Sequence, residues 1–206
     1  MCSSDLEKSE QSEGELVQDT SEDEFAREFQ ALRGNDHLLN EWTEPAIEVL
    51  EASSDPFHQE VLRILQEDRL LTLSQIDALG YSFELTSEEV SWDLPGGAVA
   101  VVIIPENSQW SSYFELSRHA PGTYNSQTRL LRLLDHPSCR FQKVSIIVHE
   151  LIHALEHMRG TMQVDNRSAL THLHSEYLAW QGTWEILNAY SQGRLKDAAE
   201  SILTRS

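Results

Sequence analysis

The sequence predicts an α+β fold, with an acidic helical part first, a small group of strands next and two helices last. Large apolar residues recur at helical spacing through most of positions 24–80. After a turn cluster, residues 99–104 form a continuous apolar run with the length of a buried strand. A second apolar run starts at Val144, and residues 168–190 again carry large apolar residues at helical spacing.

Residues 1–22 are predicted to be a disordered acidic tail. Leu6, Leu16 and Val17 supply nearly all of its apolar surface, which is too little to offset the entropy lost on ordering. Positions 1–60 hold 17 Asp or Glu against 3 Lys or Arg, a net charge of −14 out of −19 for the chain. Such a surface repels nucleic acid, and it either attracts basic protein partners or substrates or keeps the chain soluble.

Residues 23–92 are predicted to be an acidic helical region. Phe25, Phe29 and Leu32 lie at helical spacing ahead of Gly34. They indicate a short amphipathic helix that ends at the glycine.

Two further helices in this region carry start signals. Asp55 is a suitable N-cap and the next residue is a proline, so a helix is predicted over 56–70. Thr72 and Gln75 have the spacing of a capping box, and Gly80 follows where a short helix would end.

Residues 93–206 are predicted to form one domain, which begins with strands. The run 99–104 is interpreted as a buried strand because turn residues bound it on both sides. Residues 113–116 are a weaker strand candidate. Residues 123–134 indicate a β-hairpin that turns near Asn125.

The second apolar run ends in a His-Glu-x-x-His motif formed by His149, Glu150 and His153. In a helix, residues four apart lie on one face, so the two imidazoles can bind one cation while the carboxylate lies beside it. Zinc accepts imidazole nitrogen, and a catalytic site keeps a position for a water that a carboxylate deprotonates. The motif therefore predicts a zinc-binding helix, which Gly160 would end.

A second frame overlaps the first, because His153, Glu156 and His157 form the inverted motif His-x-x-Glu-His. The two frames cannot share one ion, since His149 and His157 are separated by about 12 Å of helical rise. The first frame is favoured because the apolar run leads into it. His157 is then expected to be a solvated residue near the helix end or a partner of the helix dipole there.

A second long helix is predicted over 168–190. A polar connection that contains Asp165 precedes it. Gly193 is expected to stop the helix, and residues 195–203 to add a short amphipathic turn.

The third metal ligand must come from outside the first helix, because no further residue on that helix reaches an ion held by the two histidines. The downstream candidates are Asp165, His172, His174, Glu176 and Glu185. Glu176 is favoured, because Ala179 on its face allows the helices to approach closely. Leu173 and Trp180 are expected to exclude water beside it.

No apolar segment approaches the roughly 18 residues needed to cross a bilayer. The N-terminus has neither a basic start nor an apolar core, so no Sec-type signal peptide is predicted. Cys2 and Cys139 form neither a disulfide framework nor a thiolate cluster. A soluble protein with reduced thiols in a cytoplasm is expected.

The segments HELIH at 149–153 and SEYLA at 175–179 resemble the zincin metallopeptidases of the gluzincin type. The third zinc ligand of that family is a glutamate on the next helix. GTYN at 122–125 and HELIHA at 149–154 further resemble the small metallopeptidase effectors that bacterial pathogens inject by type III secretion. The likeness covers about residues 96–190.

This resemblance implies a small mixed sheet packed on the metal helix, with an exposed edge strand that aligns an extended peptide substrate. Zinc would polarise the scissile carbonyl and acidify a water, and Glu150 would take the proton and pass it to the leaving amine. The implied zinc ligands are His149, His153 and Glu176. The candidates for oxyanion stabilisation or support of the ligands are His172, Tyr177 and Tyr124.

The predicted function is therefore zinc-dependent cleavage of a protein substrate, and the resemblance implies the setting of a bacterial effector in a host cell. The alternative is a non-catalytic zinc-binding or acidic protein-interaction module. Glu150 discriminates between them, because a structural zinc site needs closed coordination but no adjacent base.

Overall fold

The structure is a computed structural model that describes residues 26–67, 69–81, 83–85, 90–92, 94–136, 139–161 and 169–203. The predicted tail, residues 1–22, and the connection that contains Asp165 lie outside the described residues. In the described part, the fold is mixed α and β, mostly helical, with one small four-stranded sheet. The predicted α+β class is confirmed.

Helices make up most of the described residues. In chain order they are α1 (26–31), α2 (Asn40–Glu51), α3 (Pro56–Gln66), α4 (Leu73–Ala78), α5 (Gln109–Tyr113), α6 (Arg140–Met158) and α7 (Ala169–Leu203), with a 3₁₀ helix, Leu32–Leu39, after α1. The strands are β1 (Leu70–Thr72), β2 (Phe83–Leu85), β3 (Val90–Trp92), β4 (Val99–Pro105), β5 (Gly122–Asn125) and β6 (Leu130–Asp135).

Helix α3 starts as predicted but ends earlier. The side chain of Asp55 accepts a hydrogen bond of 2.7 Å from the backbone N–H of Phe57, and Pro56 is the first helical residue. The helix ends at Gln66 instead of reaching Leu70, because Leu70 pairs with Val99 in a parallel ladder. A strand of three residues is too short to show a period of two in the sequence.

Helix α4 has the predicted capping box. The hydroxyl of Thr72 accepts from the backbone N–H of Gln75, and the Gln75 side chain accepts from the N–H of Thr72 at 2.8 Å. Gly80 follows the helix with φ +74°, a conformation that glycine adopts at little cost. Both predicted ends of this element are confirmed.

Helix α2, which contains Pro45, was not predicted from the sequence. A proline in a helix interior removes a hydrogen bond and hides the helical signal. Tertiary burial outweighs this cost, because Trp42, Ala46, Val49 and Leu50 are all buried in the core that α6 shares.

The strand predicted at 113–116 is wrong. Helix α5 ends there, and its start is capped by Ser108, whose hydroxyl accepts from the N–H of Ser111 at 3.3 Å. Phe114 and Leu116 are nevertheless buried, so the apolar residues mark the core without forming a strand.

The main sheet has the strand order β1-β4-β6-β5. Strands β1, β4 and β6 are parallel, and β5 pairs antiparallel with β6 at the edge. The predicted strand at 99–104 and the hairpin turning near Asn125 are confirmed as β4 and as β5 with β6. A separate two-stranded ladder joins β2 and β3.

The sheet separates two apolar clusters. Residues such as Ile103 and Leu131 lie in the cluster that contains α6, and Ile104 and Leu130 lie in the cluster on the opposite face. Helices α2 and α3 pack in the α6 cluster, and β1 extends the main sheet. The acidic helical region therefore contributes to the core around α6.

Helix α6 ends close to the predicted residue. After Met158, Gly160 takes φ +67°, and its N–H donates to the carbonyl of His157 at 2.9 Å. The glycine thus satisfies a backbone acceptor at the helix end, as expected for this position.

Helix α7 is longer than predicted. It continues through Gly193 to Leu203, so the prediction that Gly193 stops the helix is wrong. A glycine costs an α-helix interior only about 1 kcal/mol, which does not by itself end a helix. None of the helices in the described residues is both long and apolar enough to cross a membrane.

Candidate metal centre

Three predicted ligands converge at the crossing of α6 and α7. His149 Nε2 lies 3.2 Å from His153 Nε2, and 3.3 Å from Glu176 Oε2. His153 Nε2 lies 3.3 Å from Glu176 Oε1. Within the described part of the chain, these three residues form the group of His, Cys, Asp or Glu side chains with a spacing that could hold a metal ion.

The spacing of these ligand atoms fits zinc. A tetrahedral ion with bonds of about 2.0 to 2.1 Å holds its ligand atoms about 3.4 Å apart. The observed separations of 3.2 and 3.3 Å need little change to meet that geometry. Three protein ligands also leave the fourth position of a tetrahedral ion for water or substrate.

The two histidines are placed by burial of α6. The helix is apolar along most of its length, so His149 and His153 are carried into the core side of the molecule, where each is 5% exposed. A buried imidazole without partners is costly. The Glu176 carboxylate lies close to both rings, and an ion shared by the three side chains would remove much of that cost.

Glu176 reaches the histidines because α7 crosses α6 closely. Ala179 is fully buried, as predicted for a close approach. Gly182 lies one turn further, where a β-carbon would be 2.9 Å from Cδ1 of Ile152 and 3.2 Å from Cε1 of Phe57. Small side chains therefore set the distance between the two helices.

The electrostatics of the centre favour positive charge between these side chains. Burial alone would lower the pKa of His153, but the carboxylates of Glu156 and Glu176, together with Glu150, raise it to about 9. Hydrogen bonds from His149 and His153 hold the pKa of the Glu176 carboxyl below its ordinary value. A bound cation would take the place of the proton that His153 retains and would pair with the ionised Glu176.

The outer nitrogens of the two histidines differ in their surroundings. His153 Nδ1 lies 3.1 Å from Ser175 Oγ, and Ser175 donates a hydrogen bond of 2.9 Å to Glu156 Oε2. His149 Nδ1 is buried and has no hydrogen-bond partner among the described residues. The ring of His149 packs against the ring of Trp180, with centroids 4.3 Å apart.

Glu150 lies on α6 beside the ligand cluster and is 7% exposed. Burial raises the pKa of its carboxyl, while the neighbouring histidines and the backbone of Tyr124 act in the opposite direction. A raised pKa makes a carboxylate a better proton acceptor. Glu150 is thus a buried carboxylate with a raised pKa, next in sequence to the first ligand candidate.

A cleft of about 790 Å³ opens onto this centre. Strand β5 and the turn after it form one wall, and α7 contributes His172, Ser175, Glu176 and Trp180 to another. The metal cluster and Glu150 also line it. The cleft thus gives a ligand access to both the ion site and the carboxylate.

Tyr124 and His157 are bonded to each other at the cleft. The Tyr124 hydroxyl lies 2.8 Å from His157 Nδ1. Burial raises the pKa of Tyr124 to about 12, and burial together with Arg129 lowers the pKa of His157. The phenol and the imidazole are therefore paired as neutral groups, and His157 lies in this pair instead of in the ligand cluster.

The other candidate residues have different surroundings. His172 is exposed and lines the cleft, whereas Tyr177 is exposed and is not among the residues that line it. His174 is exposed, and Glu185 accepts a hydrogen bond from Gln181. Asp165 lies outside the described residues, so its role as a ligand stays a prediction.

Leu173 and Trp180 were expected to exclude water beside Glu176, but both are exposed. Their exposed fractions are 62% and 54%. The residues that bury the crossing are small ones on the same face as Glu176, such as Ala179 and Thr183. Trp180 lines the cleft, and Leu173 does not.

Several residues that contact the centre were not predicted from the sequence. Gly122 packs against Glu150, and Ser175 with Glu156 contacts His153. The position of a glycine or a serine next to a metal helix depends on tertiary packing. The sequence signal for Ser175 is its position directly before Glu176, the predicted ligand.

Comparison of the chain with protein-family models, with curated proteins and with solved structures finds no match.

Proposed function

We propose that this chain is a zinc-dependent endopeptidase of the zincin type. The observation that carries the proposal is the convergence of His149, His153 and Glu176, with ligand atoms 3.2 to 3.3 Å apart, next to the buried carboxylate of Glu150. A structural zinc site needs four protein ligands and no base. Three ligands beside a base at an open cleft favour catalysis.

A bound zinc ion would polarise the scissile carbonyl and acidify a water molecule. Glu150 would accept a proton from the water as the water oxygen bonds to the carbonyl carbon, and would transfer it to the amine as the C–N bond breaks. Its burial beside β5 fixes the carboxylate in place, so little reorganisation precedes the transfer. His149, His153 and Glu176 hold the ion.

The edge of β5 offers a docking site for an extended peptide. The carbonyl of Pro121 accepts from the N–H of Leu134, so hydrogen-bonded pairs alternate from there along β5 and β6. The backbone groups of Gly122 and the carbonyl of Tyr124 are then directed to the open edge, while the Tyr124 N–H donates to Glu150. A substrate added as a strand there would lie between β5 and α7, over the ion site.

Protein substrates with basic character are the proposed class. The net charge of −14 over positions 1–60 favours encounter with such partners. The resemblance of GTYN at 122–125 and HELIHA at 149–154 to injected bacterial effectors supports the finer proposal that the substrate is a host protein.

The proposal is tested with the purified full chain. Zinc content is measured first, and cleavage of a mixed protein library is then followed by mass spectrometry of new N-termini. We expect one zinc per chain, cleavage that stops on chelation and returns with zinc, and no cleavage by Glu150→Gln. The glutamine keeps the shape of the side chain but accepts no proton from water.

The same experiment separates catalysis from the alternative functions. Stoichiometric zinc without cleavage would assign the centre a structural role. Cleavage that persists after complete removal of metal would contradict a zinc mechanism. Equal cleavage by Glu150→Gln would remove that residue from the role of base.

A further inference from the structure

Two consecutive residues of α7 hold the two ring nitrogens of His153. Glu176 Oε1 lies 3.3 Å from Nε2, and Ser175 Oγ lies 3.1 Å from Nδ1. Ser175 in turn donates to Glu156 Oε2 at 2.9 Å, and Glu156 Oε2 is 3.8 Å from His153 Nδ1. The series of hydrogen-bonded side chains His153, Ser175 and Glu156 thus links the end of α6 to α7.

The direction of the hydrogen bonds in this series follows from which of its groups carry a hydrogen to donate. An ionised carboxylate only accepts, so the hydroxyl hydrogen of Ser175 points to Glu156. The serine oxygen then has only lone pairs to offer to His153, and the hydrogen of that contact belongs to Nδ1. When a bound cation displaces the Nε2 proton, the Nε2 lone pair therefore faces the ion position beside Glu176.

We propose that Ser175 and Glu156 are positioning residues that fix the tautomer and ring orientation of His153 for metal binding. This inference rests on the proposed function, because it assumes that a metal occupies the centre. Glu156 belongs to the inverted motif His-x-x-Glu-His in the sequence. The geometry gives it a role in supporting His153 instead of acting as a second base.

The test measures zinc affinity by competition with a chromogenic chelator, and needs no substrate. Ser175→Ala is expected to weaken zinc binding by about 10-fold to 100-fold, as loss of an outer hydrogen bond to a metal-bound histidine does. Ser175→Thr retains the hydroxyl and is expected to stay within a few-fold of wild type. Ser191→Ala is the matched control, since its hydroxyl is bonded to Asn188 on the same helix, at an exposed site.

A double-mutant cycle shows whether Glu156 acts through Ser175. If it does, Glu156→Ala and Ser175→Ala together weaken zinc binding by much less than the product of the single effects. Unchanged affinity in Ser175→Ala, or loss in Ser175→Thr equal to that in Ser175→Ala, would overturn the proposal. Absence of zinc binding by the wild-type chain would instead contradict the proposed function itself.

A different observation concerns the exposed apolar stripe of α7. Its members are Leu173, Tyr177, Trp180 and Trp184, with exposed fractions of 62%, 63%, 54% and 65%. Their spacing of four, three and four residues places them on one face over about 16 Å of helix. An exposed apolar face of this kind usually marks a binding site.

The stripe continues from the cleft. Trp180 belongs to both, because it lines the cleft and its ring lies 4.3 Å from that of His149. At 100° per residue, the stripe lies about 40° to 100° around the helix from Glu176. An extended ligand that is bound in the cleft between β5 and α7 and continues past Trp180 would therefore contact this face.

We infer that the stripe binds large apolar side chains of the extended substrate segment that passes the metal centre. This inference also rests on the proposed function. A second copy of the chain is a poorer occupant, since it would cover Trp180 and with it one wall of the cleft. The substrate class is thus a protein segment with aromatic or large aliphatic residues beside the cleaved bond.

The test uses Trp184→Gln, because this residue is outside the cleft lining and is 65% exposed. In a peptide library, wild type is expected to prefer large apolar residues near the cleaved bond. The variant is expected to lose about tenfold in kcat/KM for such peptides through KM, with zinc content unchanged. Phe141→Gln is the matched control, with a 60% exposed ring at the start of α6.

Each remaining outcome has a defined meaning. A library profile without apolar preference, or equal losses in the two variants, would overturn the inference while leaving the peptidase intact. A concentration-dependent dimer in sedimentation that Trp184→Gln abolishes would assign the stripe to a second copy and overturn it as well. No cleavage by wild type would contradict the proposed function.

Discussion

Gly122 lies directly against Glu150, so that a β-carbon at position 122 would be 3.2 Å from Cγ of the glutamate. The same atom would be 2.6 Å from Cγ2 of Ile146. The backbone of Gly122 does not have the positive φ of Gly80 or Gly160, so the requirement is for space and not for conformation. The edge strand can approach the metal helix only because this residue has no side chain.

Gly122→Ala is therefore expected to lower both activity and stability. The added methyl must displace β5 or Glu150, and an error of about 1 Å in a catalytic group can cost about 100-fold in rate. Overpacking should cost about 1 to 3 kcal/mol of unfolding free energy. Cleavage rate, zinc content and urea unfolding are measured together.

Gly96→Ala is the control for this change, since no atom lies within 4 Å of its β-carbon and its φ is not positive. That variant should match wild type in all three measurements. An alanine at 122 with wild-type activity would show that Glu150 does not depend on the edge strand.

Glu176→Ala is expected to remove most of the zinc affinity. It deletes one of three ligands at a site where the ligand atoms already have the spacing of a zinc sphere. Wild type should be stabilised by added zinc, by about 4 kcal/mol at a free concentration of about 1,000 Kd. The melting temperature of Glu176→Ala should respond little to zinc at the same concentration.

Glu185→Ala is the matched control on the same helix, because Glu185 is exposed and bonded to Gln181. It should bind zinc as wild type does. If Asp165→Ala abolishes binding while Glu176→Ala does not, the third ligand is Asp165 and the subclass of the proposed enzyme changes.

The parts of this centre that were predictable from sequence are local. His149 and His153 are four residues apart, so helical geometry alone brings them together. Glu176 could be selected among five candidates because Ala179 indicated a close helix crossing. The contacts of Gly122, Ser175 and Glu156 depend on how β5 and α7 are placed on α6, which no local pattern records.

The same distinction applies to the fold. Caps such as Asp55 and Thr72 act over a few residues, and both are confirmed. Helix α2 was missed because Pro45 opposes a helix locally, while burial of Trp42 stabilises it through distant contacts. Strand β1 exists only through its pairing with β4, so its three residues carry no signal of their own.

The bond between Tyr124 and His157 predicts a dependence of stability on pH. The pKa of His157 is lowered in the folded chain by burial and by Arg129, so the unfolded chain binds the proton at a higher pH. Stability from this pair is present above the unfolded pKa of about 6.5 and is lost as the pH falls below it.

When the pH falls from about 7.5 to about 5.5, across that unfolded pKa, His157→Gln should therefore lose less stability than wild type does. Melting temperatures are compared in chelator, so that zinc binding does not contribute to the slope. His174→Gln replaces an exposed histidine on α7 and should keep the wild-type slope. Parallel slopes for wild type and His157→Gln would show that this histidine does not titrate differently on folding.

Two glycines of α7 allow the close helix crossing to be tested against helix propensity. Gly193 has no atom within 4 Å of its β-carbon, and Gly193→Ala should stabilise the chain by about 1 kcal/mol through propensity alone. Gly182→Ala gains the same propensity, but its methyl would be 2.9 Å from Ile152 and 3.2 Å from Phe57. The difference in unfolding free energy between the two variants therefore measures the cost of moving α7 away from α6.

Because Glu176 lies on the same helix nearly two turns earlier, zinc affinity should fall in Gly182→Ala and not in Gly193→Ala. Equal stabilisation and unchanged zinc affinity in both variants would show that an added methyl group fits between α6 and α7 and that the crossing does not position Glu176.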